Sequence, residues 1–436
     1  MDARFDAFCS SLALSASQVQ CLKDEIAQSA SGSGLEQACR AAEMALGHDR
    51  VDTSPLDETV VHENWSQACV ASPYCIIQPA SAADVAKALK IFGHFDINFA
   101  VRSGGHSPKP GASSIDARGI LLDLQHMNAD KSIASLGAGG RWGDVLEALT
   151  PQGVDVVGGR IPAVGVSGLI LGGGLHHLMA ELGTAADNVH NFENSGASDT
   201  KSTASLIMTP DAITVVLQYS APVEKPEAFA PFYNLEPLQI AVPSTIGTFQ
   251  SLATILASVS PQPTHAPWID DSRIAHRHDY RATSSRIDAR LYEDVYRFWR
   301  TRALAAREAT GANQTFVIQP VVPNVATQGL AKGGNSMGIP AENHIWWTTL
   351  VDWTDPKDDE KVRSVSIETT EQWKKLGQER GLHLPFLYMN DASRDQNPLA
   401  TYGAENIARL KEISLKYDPT QLFQKHQNGG FLLSNV

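Results

Sequence analysis

The stretch FAVRSGGHS at residues 99–107 decides how this chain is organised. Ile97, Phe99 and Val101 alternate with other residues, which is typical of a short strand. The strand runs directly into Gly104-Gly105, and consecutive glycines let the backbone turn sharply with its N–H groups exposed. Such a turn suits a diphosphate, although glycines also make tight turns that bind nothing.

The sequence on both sides of this turn alternates between helix and strand patterns. Ser81 with Asp84 three residues later predicts a helix start, and Gly93 is the predicted helix end. Further elements are predicted as strands at 120–124 and 154–157 and as a helix at 142–149. This succession indicates an α/β or α+β sheet.

A second glycine-rich stretch, VGVSGLILGGG, occupies residues 164–174. Its run Gly172–Gly174 offers another close approach of the backbone to a ligand. Two such turns favour a large phosphate-bearing cofactor, but neither fits the Walker pattern or the dinucleotide G-x-G-x-x-G pattern. The spacing alone leaves the cofactor and the plain-turn interpretations both open.

Composition excludes several classes of protein. The chain has 436 residues, of which 43% are hydrophobic and 19% charged, so it can form cores and is not disordered as a whole. With 35 basic and 48 acidic residues the net charge is −13, which argues against non-specific nucleic-acid binding. No apolar stretch reaches the ~18 residues that a membrane span needs.

Five cysteines lie in the first fifth of the chain: Cys9, Cys21, Cys39, Cys69 and Cys75. Their number is odd and their spacing matches no zinc site, so reduced or partly buried thiols are expected. A Cys69–Cys75 bridge is expected only in a secreted protein. The N-terminus is acidic and does not read as a secretory signal, which favours a cytoplasmic location.

The motifs together resemble the vanillyl-alcohol-oxidase (p-cresol methylhydroxylase, PCMH-type) superfamily, in particular the berberine-bridge-enzyme-like oxidases. Arg102–Ser107 is similar to the flavin motif of that family. The stretches that resemble successive family segments are 141–145, 158–160, 164–174, 187–189, 385–390 and 402–423. They follow the family order and cover most of residues 65–436.

The resemblance implies FAD and a set of site residues. His106 matches the histidine that attaches covalently to the flavin in many members. The positions implied for cofactor binding are Arg102, Ser103, Gly104, Gly105, His106, Ser107, Gly165, Gly168, Gly172, Gly173, Gly174 and Asn390. Tyr388 would approach the flavin ring, and with Asp391 it forms the implied catalytic pair. In such an enzyme the flavin does the redox work and the protein orients it and supplies a base.

The predicted fold class is α+β. It comprises a truncated PCMH-type FAD-binding domain, an α+β substrate domain with an antiparallel sheet, and a C-terminal berberine-bridge-like segment that returns to the flavin. The predicted boundaries are 1–64 for a helical lead-in, 65–195 for the FAD domain, 200–385 for the substrate domain and 386–436 for the last segment.

Two substitutions distinguish this chain from the family pattern. Some members attach the flavin a second time through a cysteine, but Ile161 stands at that position and cannot form the bond. Many members carry a tyrosine directly after the Asn that matches Asn390, and here the residue is Asp391. A carboxylate beside an apolar flavin site could act as a base with a pKa tuned by burial, or it could be exposed and inert.

A segment of the family pattern is also missing after Glu193. Family members continue there into strands that close the flavin domain and embrace the adenine half of FAD, and here 191–193 leads straight into a polar stretch. Losing strands would expose an unpaired sheet edge. A lost exon, a protein that gave up FAD, and a protein that binds FAD despite the gap all remain open.

The leading functional hypothesis is an FAD-linked oxidoreductase that acts on a small organic substrate of secondary metabolism. It would pass a hydride to the flavin and electrons to oxygen, with oxidative cyclisation as an extension. The alternative is a flavin-free cyclase or isomerase that uses the inherited pocket for positioning. A non-catalytic binding protein is a third hypothesis.

No metal site is expected. Two histidine pairs, His176-His177 and His276-Arg-His278, have no carboxylate or cysteine at metal-site spacing.

Overall fold

The structure is a computed structural model that describes residues 3–28, 34–125, 136, 139–188, 202–259 and 276–436. The helices are α1 Ala3–Ser11, α2 Ala16–Gln28, α3 Gly34–Leu46, α4 Glu58–Val61, α5 Ala82–Phe95, α6 Trp142–Leu149, α7 Val166–Leu171, α8 Met179–Leu182, α9 Phe249–Val259, α10 Ala289–Thr310, α11 Pro323–Ala331, α12 Asp359–Glu379, α13 Ala404–Tyr417 and α14 Leu422–His426. The strands are β1 Val51–Asp52, β2 Cys75–Ile77, β3 Phe99–Arg102, β4 Ile120–Asp123, β5 Ser202–Met208, β6 Ile213–Tyr219, β7 Arg277–Arg286, β8 Asn313–Gln314, β9 Phe316–Val321, β10 His344–Trp353 and β11 His383–Leu384.

The chain divides into two compact units. Unit 1 comprises Met1–Gly140 and Lys411–Asn435, and unit 2 comprises Arg141–Leu410 with the last residue. Both units mix helices with a sheet, so the α+β fold class is confirmed. The domain boundaries given by the sequence follow a different criterion and stay a prediction.

Unit 1 is built on a four-stranded sheet with the strand order β1-β2-β4-β3. β4 pairs in parallel with β2 and with β3, whereas β1 pairs antiparallel with β2. α5 begins as predicted, because Ser81 Oγ accepts the Asp84 N–H at 3.2 Å. It passes the predicted stop at Gly93 and ends at Phe95, followed by Asp96 in the left-handed conformation.

A disulfide links Cys39 of α3 to Cys75 of β2. The expectation of reduced thiols is therefore wrong for these two residues, and the bridge is not the Cys69–Cys75 pair considered from the sequence. The bridge joins residues 36 positions apart whose Cα atoms lie within 6.6 Å, a proximity that depends on packing of α3 and not on spacing. Cys9, Cys21 and Cys69 are not part of a disulfide.

Unit 2 is built on a seven-stranded antiparallel sheet. Its strand order is β11-β7-β10-β9-β5-β6, and β8 pairs with β10 off this path. One face packs on α10 and α12, where Trp299, Phe316, Trp347 and Trp373 form the core. Because successive strand residues point to opposite faces, Trp346 lies on the other face. That second face carries the polar groups of the candidate site.

The strand predicted at residues 154–157 is wrong. These residues form no strand, and Val154 is half exposed at 52%. Within the described part of 141–188 the only strand-like pairing is an isolated bridge between Arg141 and Gly165. A strand needs a neighbour for its N–H and C=O groups, so an alternating apolar pattern without a partner stays irregular.

The strand β5, Ser202–Met208, was not predicted from the sequence.

Candidate functional site

The first glycine-rich turn, residues 102–107 in unit 1, begins at a buried ion pair. Arg102 ends β3, Asp123 ends β4, and the two residues are paired in register. The Arg102 side chain is fully buried, and its Nη2 donates to Asp123 Oδ2 at 2.7 Å. Its Nε and Nη1 are buried without a hydrogen-bond partner in the described structure. Arg102 thus holds two strand ends together and leaves two donors unsatisfied.

The turn itself requires glycine at position 105. Gly105 has φ +62°, and an added Cβ would lie 3.0 Å from the carbonyl oxygen of Glu63. The Gly105 carbonyl accepts the backbone N–H of Trp65 at 3.0 Å. Among the residues that the structure describes, the N–H groups of Gly105 and Ser107 find no acceptor. Ser103 and Gly104 complete the turn, which keeps backbone donors in reach of an anion.

His106 is oriented by a neighbouring tryptophan. Its imidazole lies parallel to the indole ring of Trp65, with ring centroids 4.3 Å apart and an interplanar angle of 8°. Trp65 also donates its backbone N–H to the carbonyl of Gly105. The indole ring and the backbone of Trp65 therefore both contact the turn at residues 102–107. One face of the imidazole is therefore covered, and the direction of its ring edge is set.

The second glycine-rich turn, Gly172–Gly174 in unit 2, has no free backbone donor. The N–H groups of Gly172 and Gly173 donate to carbonyl oxygens of α7 at 3.3 and 2.9 Å. The Gly174 N–H donates to Tyr388 Oη at 3.1 Å. This turn differs from the first one, because the protein itself uses all three of its N–H groups.

The glycines of the second turn make room for other side chains. A Cβ on Gly172 would collide with the side chain of Asn390. Gly173 has φ +104°, and a Cβ there would lie 2.5 Å from Sδ of Met337. Close approach, not anion binding, explains these two glycines within unit 2.

The two earlier glycines of the stretch differ from each other. Gly165 precedes α7 and forms the isolated bridge with Arg141. Gly168 lies inside α7, where an added Cβ would meet nothing within 4 Å. Nothing in unit 2 requires a glycine at position 168.

Tyr388 is buried and held from three sides. The Gly174 N–H and Asn390 Nδ2 both donate to its oxygen, the latter at 2.9 Å, and its ring stacks on Trp346 with centroids 4.7 Å apart. Burial raises the pKa of the Tyr388 phenol well above its usual value, and the charge of Asp391 adds to this. The phenol therefore stays protonated near neutral pH, and it can donate a hydrogen bond but is not a base.

Asp391 is a half-buried carboxylate at the end of the single turn Met389–Asp391. No hydrogen bond or ion pair within the described chain reaches its side chain. Burial raises the pKa of Asp391 to about 6, and the positive charge of Arg160 limits the rise. A carboxyl group with this pKa exchanges protons near neutral pH, which is what a general base needs.

Arg160 is presented by a tightly built loop. An added Cβ on Gly158 or Gly159 would collide with the indole ring of Trp142, so both glycines let the loop lie on that ring. The Gly143 N–H donates to the carbonyl of Pro162 at 3.0 Å. The start of α6 thereby fixes the loop from both sides of Arg160.

The loop directs Arg160 to the polar face of the seven-stranded sheet. Arg160 Nη1 donates to Gln319 Oε1 at 3.2 Å, and Ser205 Oγ donates to the same oxygen at 2.8 Å. Gln319 pairs in register with Trp346, so the two side chains share a face. Tyr280 of β7 is half-buried. Burial and the charge of Asp391 raise the pKa of its phenol.

Two neighbouring histidines are neutral. His176 and His177 both pack on Phe249, and His177 Nδ1 lies 2.8 Å from Gln218 Oε1. Burial lowers the pKa of each histidine to about 3, and the charge of Arg160 contributes. They therefore carry no charge near neutral pH. In the described residues, no group of three or more potential metal ligands occurs.

The predicted site residues fall into two groups. Residues 102–107 lie together in unit 1. Unit 2 brings Gly172–Gly174 against Tyr388 and Asn390, with Asp391 next in sequence. Their roles in binding and catalysis stay predictions. Gln319 was not predicted as a site residue, although a single long polar residue in the apolar strand FVIQPV at 316–321 indicates a special role.

Two family profiles match the chain. The FAD binding domain matches residues 73–194, and the berberine and berberine-like domain matches residues 387–428. Within the described part of the chain, no helix is long and apolar enough to cross a bilayer.

Two fungal proteins are similar to this chain over most of their length. An FAD-dependent monooxygenase of Arthrobotrys oligospora is 30% identical, with 84% of each chain covered. The bifunctional solanapyrone synthase of Alternaria solani is 27% identical, over 83% of this chain and 82% of its own. The first alignment spans 442 positions, more than the 436 residues here, so that relative has residues without a counterpart in this chain. The junction after Glu193, where a gap is expected, lies outside the described residues.

Solved structures share the fold. The 6-hydroxy-D-nicotine oxidase of Arthrobacter nicotinovorans superposes with a TM-score of 0.65 at 17% identity, over 87% of this chain and 97% of its own. The xylooligosaccharide oxidase of Myceliophthora thermophila has a TM-score of 0.65 at 17% identity, over 89% and 99%. At this identity the likeness concerns the fold alone.

The residues of the first turn fit the diphosphate of FAD. The buried Nε and Nη1 of Arg102 and the N–H groups of Gly105 and Ser107 are donors without acceptors in the described structure. A diphosphate supplies acceptors and negative charge, which such a nest favours. The second turn has no N–H to offer, so it fits only as a surface of close approach.

Proposed function

Because this chain belongs to the berberine-bridge-enzyme-like family of FAD-dependent oxidoreductases, we propose that it oxidises a small secondary-metabolite substrate by hydride transfer to FAD, with oxygen as electron acceptor. The support for oxygen is that relatives are named FAD-dependent monooxygenases. One relative is named a bifunctional synthase, which supports a second activity beside oxidation, and we propose oxidative cyclisation as that activity.

FAD supplies the redox chemistry when bound, since it accepts a hydride from carbon and passes the electrons on. The proposal assigns its diphosphate to the turn at residues 102–107, where Arg102, Gly105 and Ser107 have donors to spare. His106 is proposed as the covalent anchor. Its ring orientation, fixed by Trp65, supports that role because bond formation needs a defined direction of the ring nitrogens.

The observation that carries the proposal is the state of Asp391. Loss of a hydride from a carbon that bears a hydroxyl group also requires loss of the hydroxyl proton. A carboxylate without a partner and with a pKa of about 6 is suited to accept that proton at neutral pH. The protonated Tyr388 beside it can donate a hydrogen bond to the substrate oxygen but cannot replace the base.

The direct test is Asp391→Asn in the FAD-loaded protein. A panel of small alcohols, phenols and enols is screened for bleaching of the flavin absorbance, and the fastest compound is used. Loss of a general base is expected to slow flavin reduction by ~10²–10⁴-fold. In the unchanged protein the rate should rise as the pH increases through about 6 and level off above, because only the carboxylate form accepts a proton.

Asp395→Asn is the matched control. Asp395 lies four residues away but pairs with Arg281 and Arg363, which lower the pKa of its carboxyl group. Its replacement should leave the pH profile unchanged. Burial disfavours ionised Asp391, so its replacement by Asn should not lower the free energy of unfolding at neutral pH. An unaltered rate in Asp391→Asn would remove this residue from the mechanism.

A further inference from the structure

Arg160 differs in its hydrogen-bond partner from three other arginines of unit 2. Arg277, Arg363 and Arg281 each pair with a carboxylate within 2.8 Å. Within the described residues, Arg160 has only the neutral carboxamide oxygen of Gln319. Burying a guanidinium without a counterion is unfavourable, so a fold that builds such a site has a use for the charge.

Two histidines near Arg160 add no positive charge of their own. His176 and His177 are neutral near neutral pH, and each of them is influenced by the charge of Arg160. Gln319 is fixed by Ser205, so the carboxamide cannot turn away to release Arg160. A guanidinium has five N–H donors. Gln319 accepts one of them, an N–H of Nη1. The remaining edge matches the geometry of an oxyanion.

We propose that the Arg160–Gln319 pair is the binding site for an acidic oxygen of the substrate, a carboxylate or a phenolate or enolate oxygen. This inference rests on the proposed function and names the substrate class of the same site. The charge of Asp391 acts on Arg160, and within the described residues the two form no ion pair, so the two groups can engage different atoms of one substrate. The acidic oxygen binds to Arg160, and the proton of the reacting hydroxyl goes to Asp391.

The test is equilibrium binding to the FAD-loaded protein, measured by calorimetry without turnover. Benzoate is the carboxylate probe and 4-nitrophenolate the phenolate probe, and benzamide and nitrobenzene are their neutral counterparts. Each anion is expected to bind more tightly than its neutral counterpart. Arg160→Met should weaken the favoured anion roughly 10- to 100-fold, the range for a charge-assisted hydrogen bond, and leave the neutral compounds unaffected.

Gln319→Glu is a second variant that tests the same site if Arg160→Met does not fold. The new carboxylate would lie within hydrogen-bond distance of Arg160 and form an ion pair with it, so the affinity for anions should fall by a similar factor. Arg307→Met removes an arginine that already pairs with Asp211 and should change nothing. Asp391→Asn should tighten anion binding, because it removes a like charge.

The outcomes separate this inference from the proposed function. Preference for one anion over the other identifies the acidic group. Equal binding of anionic and neutral probes, or anion binding that survives both Arg160→Met and Gln319→Glu, would overturn the site. If Asp391→Asn leaves the rate unchanged while Arg160→Met still weakens anion binding, the base assignment fails and the anion site stands.

Discussion

The two glycine-rich turns look alike in sequence and differ in what they offer. The turn at 102–107 keeps the N–H groups of Gly105 and Ser107 and two donors of Arg102 without acceptors in the described chain. The turn at Gly172–Gly174 donates all three of its N–H groups to the protein. The same residue type thus leaves donors available in one unit and allows close packing in the other.

The difference arises from residues that are distant in sequence. Tyr388 and Asn390 lie more than 200 positions after the second turn, and they fill the space and the hydrogen bonds that a ligand would need. The first turn follows instead on Arg102, which ends β3 and donates to Asp123 at 2.7 Å. Whether a glycine turn binds a ligand therefore depends on what packs against it.

The largest effect is expected from Arg102→Met, which tests the support of the first turn. It leaves Asp123 as a buried charge without its partner, and the free energy of unfolding should fall by about 3–5 kcal/mol in urea titrations. Removing both partners with Arg102→Met and Asp123→Leu should recover most of the loss. Arg118→Met, which breaks an exposed pair with Asp116, should have no measurable effect. A loss in Arg102→Met no larger than in that control would contradict the role given to the ion pair.

A smaller effect is expected from Gly172→Ala, which tests the packing role of the second turn. The backbone at Gly172 has φ −92° and accepts alanine, so the only cost is the collision with Asn390. Overpacking of this kind costs about 1–3 kcal/mol in the free energy of unfolding. In the double variant with Asn390→Ala the cost should shrink. Additive effects of the two substitutions would show that the collision is not the cause.

The smallest effect is expected from Gly168→Ala in the same stretch. An added Cβ meets nothing there, and alanine is the better helix former by up to about 1 kcal/mol. The melting temperature should therefore rise slightly, in contrast to Gly172→Ala. A clear destabilisation would mean that the added methyl group at position 168 meets a neighbour. That result would favour the cofactor role that the resemblance implies for Gly168.

Local patterns predicted much of the fold. The cap at Ser81, the strand before Arg102 and the helix at 142–149 follow from capping chemistry and spacing, and they are confirmed. The strand at 154–157 and the reduced state of Cys39 and Cys75 are wrong, because pairing partners and helix packing decide them and neither is local.

The candidate site was predictable only in part. Motif resemblance located residues 102–107, 165–174 and 388–391, whose functional roles await experiment. It did not show that Tyr388 closes the second turn or that Arg160 lacks a carboxylate partner. These facts depend on which side chains meet across unit 2, and a single sequence does not contain that information.

The most direct test of the account is the absorption spectrum of the purified protein, repeated on the pellet and the supernatant after acid precipitation. We expect a yellow protein whose colour stays in the pellet. In His106→Ala the colour should move to the supernatant or be lost. Colour in the supernatant of the unchanged protein would contradict the covalent anchor but not FAD binding. A folded, colourless protein that does not take up added FAD would contradict the assignment of the first turn to the cofactor.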